Sequence, residues 1–314
     1  MAEYSKKEHA VLTAGGGLNV VLREFVYKAE KTGKAIYIQS GLHGGETSQW
    51  VLYRLHRFLL ENLRCGEVHI VPYANPLAWM QRVYGSTSGK FSLLDGKDFN
   101  RCFSGSATGD VTARLCAKLM ELSASADFVV DLHTSKRSKP FAIYTQKAYE
   151  PVVKACGLPY NQYSDDAAIA ALHGTFNAAL DRAGVANITL ECGSHDSYEA
   201  ENAEVVEKAL QSLLGILGMA EVVPERAGKV YAFEKRQKAF SAAGGLFKPE
   251  SMPQSRVSAG ETIGYVYDSA DLAEVVEVKA PCDGVVLTVS ASHIVWEGDV
   301  LAEIVPTDDL REIC

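Results

Sequence analysis

The stretch that decides the fold is Ala35-Ile36-Tyr37-Ile38-Gln39-Ser40-Gly41-Leu42-His43-Gly44-Gly45-Glu46. Its first half is rich in β-branched and aromatic residues, as a buried strand requires. Its second half cannot continue that strand, because Gly44-Gly45 lets the backbone bend sharply. Trp50, Val51, Leu55, Phe58 and Leu59 then recur at helical spacing, which predicts a helix over 47–62. Strand, turn and helix form the unit of an α/β domain, and open α/β sheets bind ligands at the C-terminal ends of their strands. His43 and Glu46 stand on that turn, three residues apart, an imidazole and a carboxylate able to face one centre. This pair suits zinc, which for hydrolysis needs a further protein ligand and an open position.

Upstream, residues 10–30 alternate apolar and polar around Gly15-Gly16-Gly17, the pattern of a β-hairpin. No Lys-Ser/Thr follows these glycines, so they are not a phosphate loop. Downstream, Val68–Pro72 is a short strand ending at Tyr73-Ala74-Asn75-Pro76, and 85–109 is a glycine-, serine- and aspartate-rich loop. A loop of that length within a compact domain points to function. A helix is expected over 110–123, a buried strand over Asp127–His133, and a further strand from Pro140 to Thr145. Helices over 148–156 and 165–183, a strand over Val185–Glu191 and a helix over 198–217 follow. The alternation predicts an α/β domain over 1–224, built on a mixed, mainly parallel sheet flanked by helices. Past Pro224 the periodicity changes. Residues 225–314 hold short β runs broken by glycine and proline, and Val276–Ile304 resembles half of a biotinyl/lipoyl-type β-barrel. No carrier lysine stands at the expected hairpin tip, where Ala291-Ser292-His293-Ile294 occurs, so a structural or lid domain is expected.

The 314 residues carry a net charge of -8, which argues against a nucleic-acid binder but leaves room for a local basic pocket. Seven scattered cysteines with no CxxC pair argue against a disulfide framework and favour a reducing compartment. The N-terminal residues lack an apolar signal core, and no apolar run approaches the ~18 residues of a membrane span. The expectation is a soluble cytoplasmic protein with no nucleic-acid or membrane partner, for which a homo-oligomer stays open.

Three expected strands end in a ligand or a base: His43 with Glu46, His133, and Glu191. If these strands are neighbours, their ends converge. His133 would then be the third zinc ligand, Asp131 would brace an imidazole from behind, and Glu191 would be a general base. A lone histidine on a strand is usually a packing residue; the shared strand-end position is what raises these two above that. His195 follows Glu191 closely and is a weaker candidate for the pocket, and Cys192 reads as a small core residue. Asn100-Arg101, inside the long loop, offers a planar guanidinium fork and an amide for a substrate carboxylate. Arg82 and Lys90 are the alternatives for a second cation that polarises the scissile carbonyl.

H-G-G-E, N-P, D-F-N-R-x-F, D-L-H-T and T-L-E-C-G, in this order, resemble the zinc carboxypeptidase-like superfamily. More narrowly, with the β-rich tail bearing Gly244-Gly245-Leu246-Phe247-Lys248-Pro249, they resemble the succinylglutamate desuccinylase/aspartoacylase family of N-acyl amino acid hydrolases. Each motif alone is weak, and the resemblance rests on five in register. It implies one zinc ion per chain on His43, Glu46 and His133, a substrate carboxylate on Asn100 and Arg101, and Glu191 as catalytic base. The implied activity is hydrolysis of the amide bond of a small N-acyl amino acid, by water activated at zinc and a glutamate. Two departures stand out: no arginine lies just before Asn100-Arg101, and Phe103-Ser104-Gly105 replaces the family's Phe-Pro-Gly. Together with D-F-N-R for D-L-N-R, the second is closer to the diaminobutyrate deacetylase branch. The alternatives are a metallocarboxypeptidase acting on short peptides and a non-catalytic carboxylate-binding protein.

Overall fold

The computed structural model describes residues 1–83, 86–87, 89–164, 173–222, 228–270 and 272–314. Its N-terminal hairpin pairs β1 (Glu3–Thr13) with β2 (Asn19–Lys28). Next come β3 (Lys31–Ser40), helix α1 (Gln49–Asn62), β4 (Cys65–Val71), the short helix α2 (Pro76–Met80), and the two-residue strands β5 (Arg82–Val83) and β6 (Ser86–Thr87). Helix α3 (Val111–Ser123) leads into β7 (Phe128–Ser135), β8 (Arg137–Ser138) and β9 (Phe141–Tyr144). Helix α4 (Glu150–Cys156), β10 (Tyr160–Tyr163), helix α5 (Phe176–Arg182), β11 (Asn187–Ser194) and helix α6 (Ala200–Ile216) follow. Of the helix expected over 165–183, the stretch 165–172 lies outside the described residues, as does the expected boundary at Pro224.

With β12 (Tyr231–Phe233) and β21 (Arg311–Glu312), a ten-stranded sheet forms in the order β1-β2-β4-β3-β7-β11-β9-β10-β12-β21. Its centre, β4-β3-β7-β11, is parallel throughout. Antiparallel pairs flank it at β1-β2, β2-β4, β11-β9 and β12-β21, so the sheet is mixed. The central strands are buried on both faces, which is why β7 is buried continuously from Phe128 to Thr134 and shows no alternation of buried and exposed residues. Leu55 and Leu59 of α1 and Val206, Leu210 and Leu213 of α6 cover one face. Leu115 and Leu119 of α3 and Phe176 and Leu180 of α5 cover the other.

In the C-terminal region no closed barrel is found among the described residues: the strands form two sheets. One runs β13 (Gln237–Phe240), β20 (Val300–Pro306), β18 (Gly284–Val289), β15 (Arg256–Val257). The other runs β17 (Val275–Lys279), β16 (Thr262–Asp268), β14 (Gly245–Pro249), β19 (Ile294–Val295). Phe247, Val266 and Val278 of the second face Val286, Leu301 and Ile304 of the first in one core. The other side of the first sheet packs onto the ten-stranded sheet, where Leu287 and Val305 meet Phe141 and Phe233. β8 also pairs with β18, Thr288 opposite Ser138 and Val289 opposite Arg137, so the two regions share strands as well as apolar surface. No helix among the described residues is long and apolar enough to cross a membrane.

Candidate active site

The strands that carry the sequence-predicted residues, β3, β7 and β11, are neighbours in the parallel centre of the sheet. Glu191 lies opposite His133 in the β11-β7 register, and Gln39 opposite Asp131 in the β3-β7 register. The turn after β3 is held from below. Asn75, fully buried, donates from Nδ2 to the Leu42 carbonyl (3.1 Å) and accepts from the Ala78 amide (3.2 Å) to cap α2. Trp79 donates to the Gly41 carbonyl (3.1 Å). The N-P motif is therefore the floor beneath the His43 turn. From above, the Gly44 amide donates to the Gly89 carbonyl (3.1 Å). A Cβ on residue 89 would lie 2.1 Å from Gly44 Cα, so only glycine lets the long loop approach the turn this closely. Gly45 takes φ +80°, a second reason the turn carries glycine.

The ligand atoms of His43, Glu46 and His133 lie within 4.8 Å of one another, and all three residues are buried. Both imidazoles turn Nδ1 toward the same carboxylate: His43 at 2.8 Å from Glu46 Oε1, His133 at 2.8 Å from Oε2. The second approach lacks hydrogen-bond geometry, so Oε2 is a buried oxygen with no hydrogen bond. The outward nitrogens have carboxylates of their own. His133 Nε2 is 2.8 Å from Asp131 Oδ2, and His43 Nε2 is 3.3 Å from Asp98 Oδ1. Gln39 in turn donates to Asp131 Oδ1 at 3.0 Å. Inward Nδ1 atoms, outer nitrogens fixed by acids and an orphaned carboxylate oxygen are what a two-histidine, one-glutamate zinc centre requires. The electrostatics agree. Burial disfavours charge on both imidazoles, yet the carboxylates around them raise both pKa values, His133 strongly. Burial would likewise raise Glu46, but the two imidazoles pull it well below the ordinary carboxylate range. Three acids around two imidazoles create a field that favours a cation.

Glu191 has a different environment. Its Oε2 is buried without a hydrogen bond, and burial pushes its carboxyl up to about 7, with Glu46 adding to the rise against the pull of His133. A carboxyl poised near neutrality can both take and return a proton.

These residues line one cavity of about 590 Å³ together with Asn100, Arg101, Lys90 and His195. Asn100 Oδ1 accepts from the Phe176 amide at the start of α5 (2.9 Å), which leaves only donors on its amide nitrogen. Arg101 spends one N–H on the Asn100 carbonyl (2.7 Å) and keeps the rest of its fork. Of the two alternatives for a second cation, Lys90 lines the cavity, whereas Arg82 is exposed and does not. Sequence reasoning missed Asp98, although it stands inside the D-F-N-R motif. It also missed Lys136 and Ser290–Ser292, which reach the cavity through long-range pairing that no local pattern reports.

The model of the succinylglutamate desuccinylase/aspartoacylase catalytic domain matches residues 32–217. The N-alpha-acetyl-L-2,4-diaminobutyric acid deacetylase of Halomonas elongata is 27% identical over 292 residues, covering 87% of this chain and 82% of that one. A succinylglutamate desuccinylase/aspartoacylase family protein from Shewanella amazonensis shares the fold with a TM-score of 0.87 at 20% identity, over 98% of this chain and 100% of that one. A product-bound ectoine utilization protein from Ruegeria pomeroyi gives a TM-score of 0.81 at 22% identity, over 98% and 95% of the two chains.

Proposed function

The chain belongs to the succinylglutamate desuccinylase/aspartoacylase family, and from that premise we propose that it is a zinc-dependent amidohydrolase that removes a small acyl group from an N-acyl amino acid. The observation that carries this is the convergence of His43, Glu46 and His133 beside Glu191 on adjacent parallel strands, within a cavity that also holds Asn100 and Arg101. One zinc ion held by His43, Glu46 and His133 would supply the Lewis acid that polarises the acyl carbonyl.

The remaining roles belong to the side chains. Arg101 and the Asn100 amide hold a carboxylate of the substrate, which fixes the amide relative to Glu191. Glu191 takes a proton from the attacking water as the water oxygen bonds to the acyl carbon. It returns that proton to the nitrogen as the C–N bond breaks, releasing a carboxylic acid and an amine. Lys90 adds positive charge on the wall of the cavity. Residues 1–224 form the catalytic unit in this proposal, and the β-rich region after it closes the cleft through Ser290–Ser292.

The test is a panel of N-acetyl and N-succinyl amino acids, including acetylated diaminobutyrate, alongside dipeptides. Release of a free amino acid from acylated substrates at a kcat/KM at least tenfold above that for any dipeptide supports the deacylase. A preference for dipeptides would make the protein a carboxypeptidase. Cleavage of none of them by zinc-loaded protein would leave a carboxylate-binding protein.

A further inference from the structure

The described residues form a second cavity, of about 370 Å³, that shares no lining residue with the metal cavity. The alternation of β2 builds one wall. Val21, Arg23, Phe25 and Tyr27 stand on one face of that strand, and Tyr4 of β1 lies opposite Tyr27. Leu52, Tyr53 and His56, on one turn of α1, form a second wall. Tyr73, Pro76 and Trp79, before and along α2, form the third.

The chemistry of these walls selects an occupant. Six aromatic rings, Tyr4, Phe25, Tyr27, Tyr53, Tyr73 and Trp79, surround a space of small-molecule size. Such a lining favours a flat aromatic guest, which can stack on the rings or meet them edge to face. Tyr27 and His56 Nδ1 already satisfy each other in a hydrogen bond of 2.6 Å. The charge at the rim is positive. Arg23 lines the cavity, and Lys6 Nζ stands 5.9 Å from the ring centre of Tyr4 and 5.8 Å from that of Phe25. No aspartate or glutamate is among the described lining residues. Arg23 gives its Nε to Glu8 at 3.0 Å, but both side chains are exposed. Such a pair is weak, and it leaves the terminal nitrogens of the fork for a carboxylate.

The cavity also shares a wall with the metal turn. Trp79 donates from Nε1 to the Gly41 carbonyl at 3.1 Å. A Cβ on residue 41 would lie 2.8 Å from that nitrogen and 3.1 Å from the Pro72 carbonyl oxygen. Pro72 and Trp79 both line the cavity, and Gly41 stands two residues before His43. Asn75, between them, holds the Leu42 carbonyl. A guest that fixes Trp79 therefore fixes the floor of the turn. We propose that this cavity is an effector site for a small aromatic carboxylate, coupled through Trp79 to the His43 turn. Occupation stabilises the turn with its ligands converged, so it tightens zinc binding. The coupling rests on the zinc assignment above; occupancy of the cavity does not.

The probes are 1-naphthoate and its neutral counterpart 1-naphthalenemethanol, titrated calorimetrically into the full chain. One 1-naphthoate should bind per chain, roughly tenfold or more tighter than the alcohol. Arg23→Gln should remove that difference. Val21→Trp, which fills the cavity, should weaken both probes by roughly tenfold or more, and if that variant fails to fold Arg23→Gln still decides. Arg101→Ala should leave both affinities unchanged, which separates this site from the carboxylate grip of the metal cavity. Zinc affinity, read by competition with a chelator, should rise roughly threefold or more when 1-naphthoate saturates the wild type, and zinc should tighten 1-naphthoate by the same factor. A chain that binds no zinc would sink the metal assignment, and the calorimetric comparison would still decide the cavity. Absence of 1-naphthoate binding, equal affinities for acid and alcohol, or binding that is lost in Arg101→Ala and kept in Arg23→Gln would overturn the site. Zinc affinity unchanged by saturating 1-naphthoate would overturn the coupling. A chain that is dimeric by sedimentation velocity and binds neither probe would assign the aromatic walls to a second copy instead.

Discussion

Two clusters in this molecule have almost the same composition and different fates. In each, a buried glutamate stands between two histidines. Glu46 stands between His43 and His133 at the ends of parallel strands. Glu24 stands between His9, at 2.7 Å, and His69, across β1, β2 and β4. The difference lies in what each glutamate has left over. Both oxygens of Glu24 accept a hydrogen bond from an imidazole, and His69 Nε2 turns to Glu67 at 3.2 Å, so the cluster is satisfied by itself. Glu46 keeps a buried oxygen without a hydrogen bond, the ligand atoms of its histidines converge, and the group opens onto a cavity. Residue types alone do not separate the two clusters; unsatisfied, converging lone pairs do.

The largest test of this contrast is a pair of single substitutions. His43→Ala should abolish both zinc binding and turnover, whereas His69→Ala should keep one zinc per chain and lower only the melting temperature. Loss of zinc in His69→Ala would erase the distinction. Next in size, Asp131→Asn leaves the three ligands in place but weakens the hold on His133 Nε2. Zinc affinity, measured by competition with a chelator, should fall about 10–100-fold. Arg101→Ala removes charge-assisted hydrogen bonds to a carboxylate and should raise KM about tenfold or more, with zinc content unchanged.

The smallest effect is on stability. The pKa of Glu24 rises on burial but is pulled by the hydrogen bonds of His69 and His9 from an ordinary 4.5 down to about 2. Its contribution is therefore complete above about 4.5 and is lost as pH falls toward about 2. Hydrogen bonding to Glu24 raises His69 above its ordinary 6.5, so its share is present below that value and is lost as pH rises through the raised one. Glu24→Gln should accordingly destabilise most between pH 4.5 and 6.5. The cost should be about 1–3 kcal/mol, less than for a fully buried pair because both imidazoles are partly exposed. Chemical denaturation at pH 5.5 and 9 measures it. An equal loss at both pH values would contradict the ion-pair account.

What could be read from the chain follows the range of the interactions. The β3 turn, D-L-H and T-L-E-C-G are local: strand, bend and ligand lie within a few residues, and the apolar runs place them in a buried sheet. The order β3-β7-β11 needed only the usual adjacency of β-α-β units. The C-terminal region behaved otherwise. Glycine and proline marked its strand ends, but nothing local says that β18 pairs with β20, β15 and β8, or that β12 and β21 join the ten-stranded sheet. Its strands form two sheets and no closed barrel among the described residues. Lys136 escaped notice for the same reason. A lysine after a strand looks like any surface cation until β8-β18 pairing brings the Ser290–Ser292 turn to the same cavity. Lys90 could not be separated from Arg82 because the Gly44–Gly89 contact that brings the loop to the His43 turn joins residues far apart in sequence.

The central claim is that His43, Glu46 and His133 hold the metal while Glu191 moves the proton. Metal content and turnover measured on the same preparation of Glu191→Gln separate these roles. The predicted result is one zinc per chain, as in the wild type, with kcat reduced about 10²–10⁴-fold. A variant that retains wild-type turnover, or one that loses its zinc along with its activity, would contradict it.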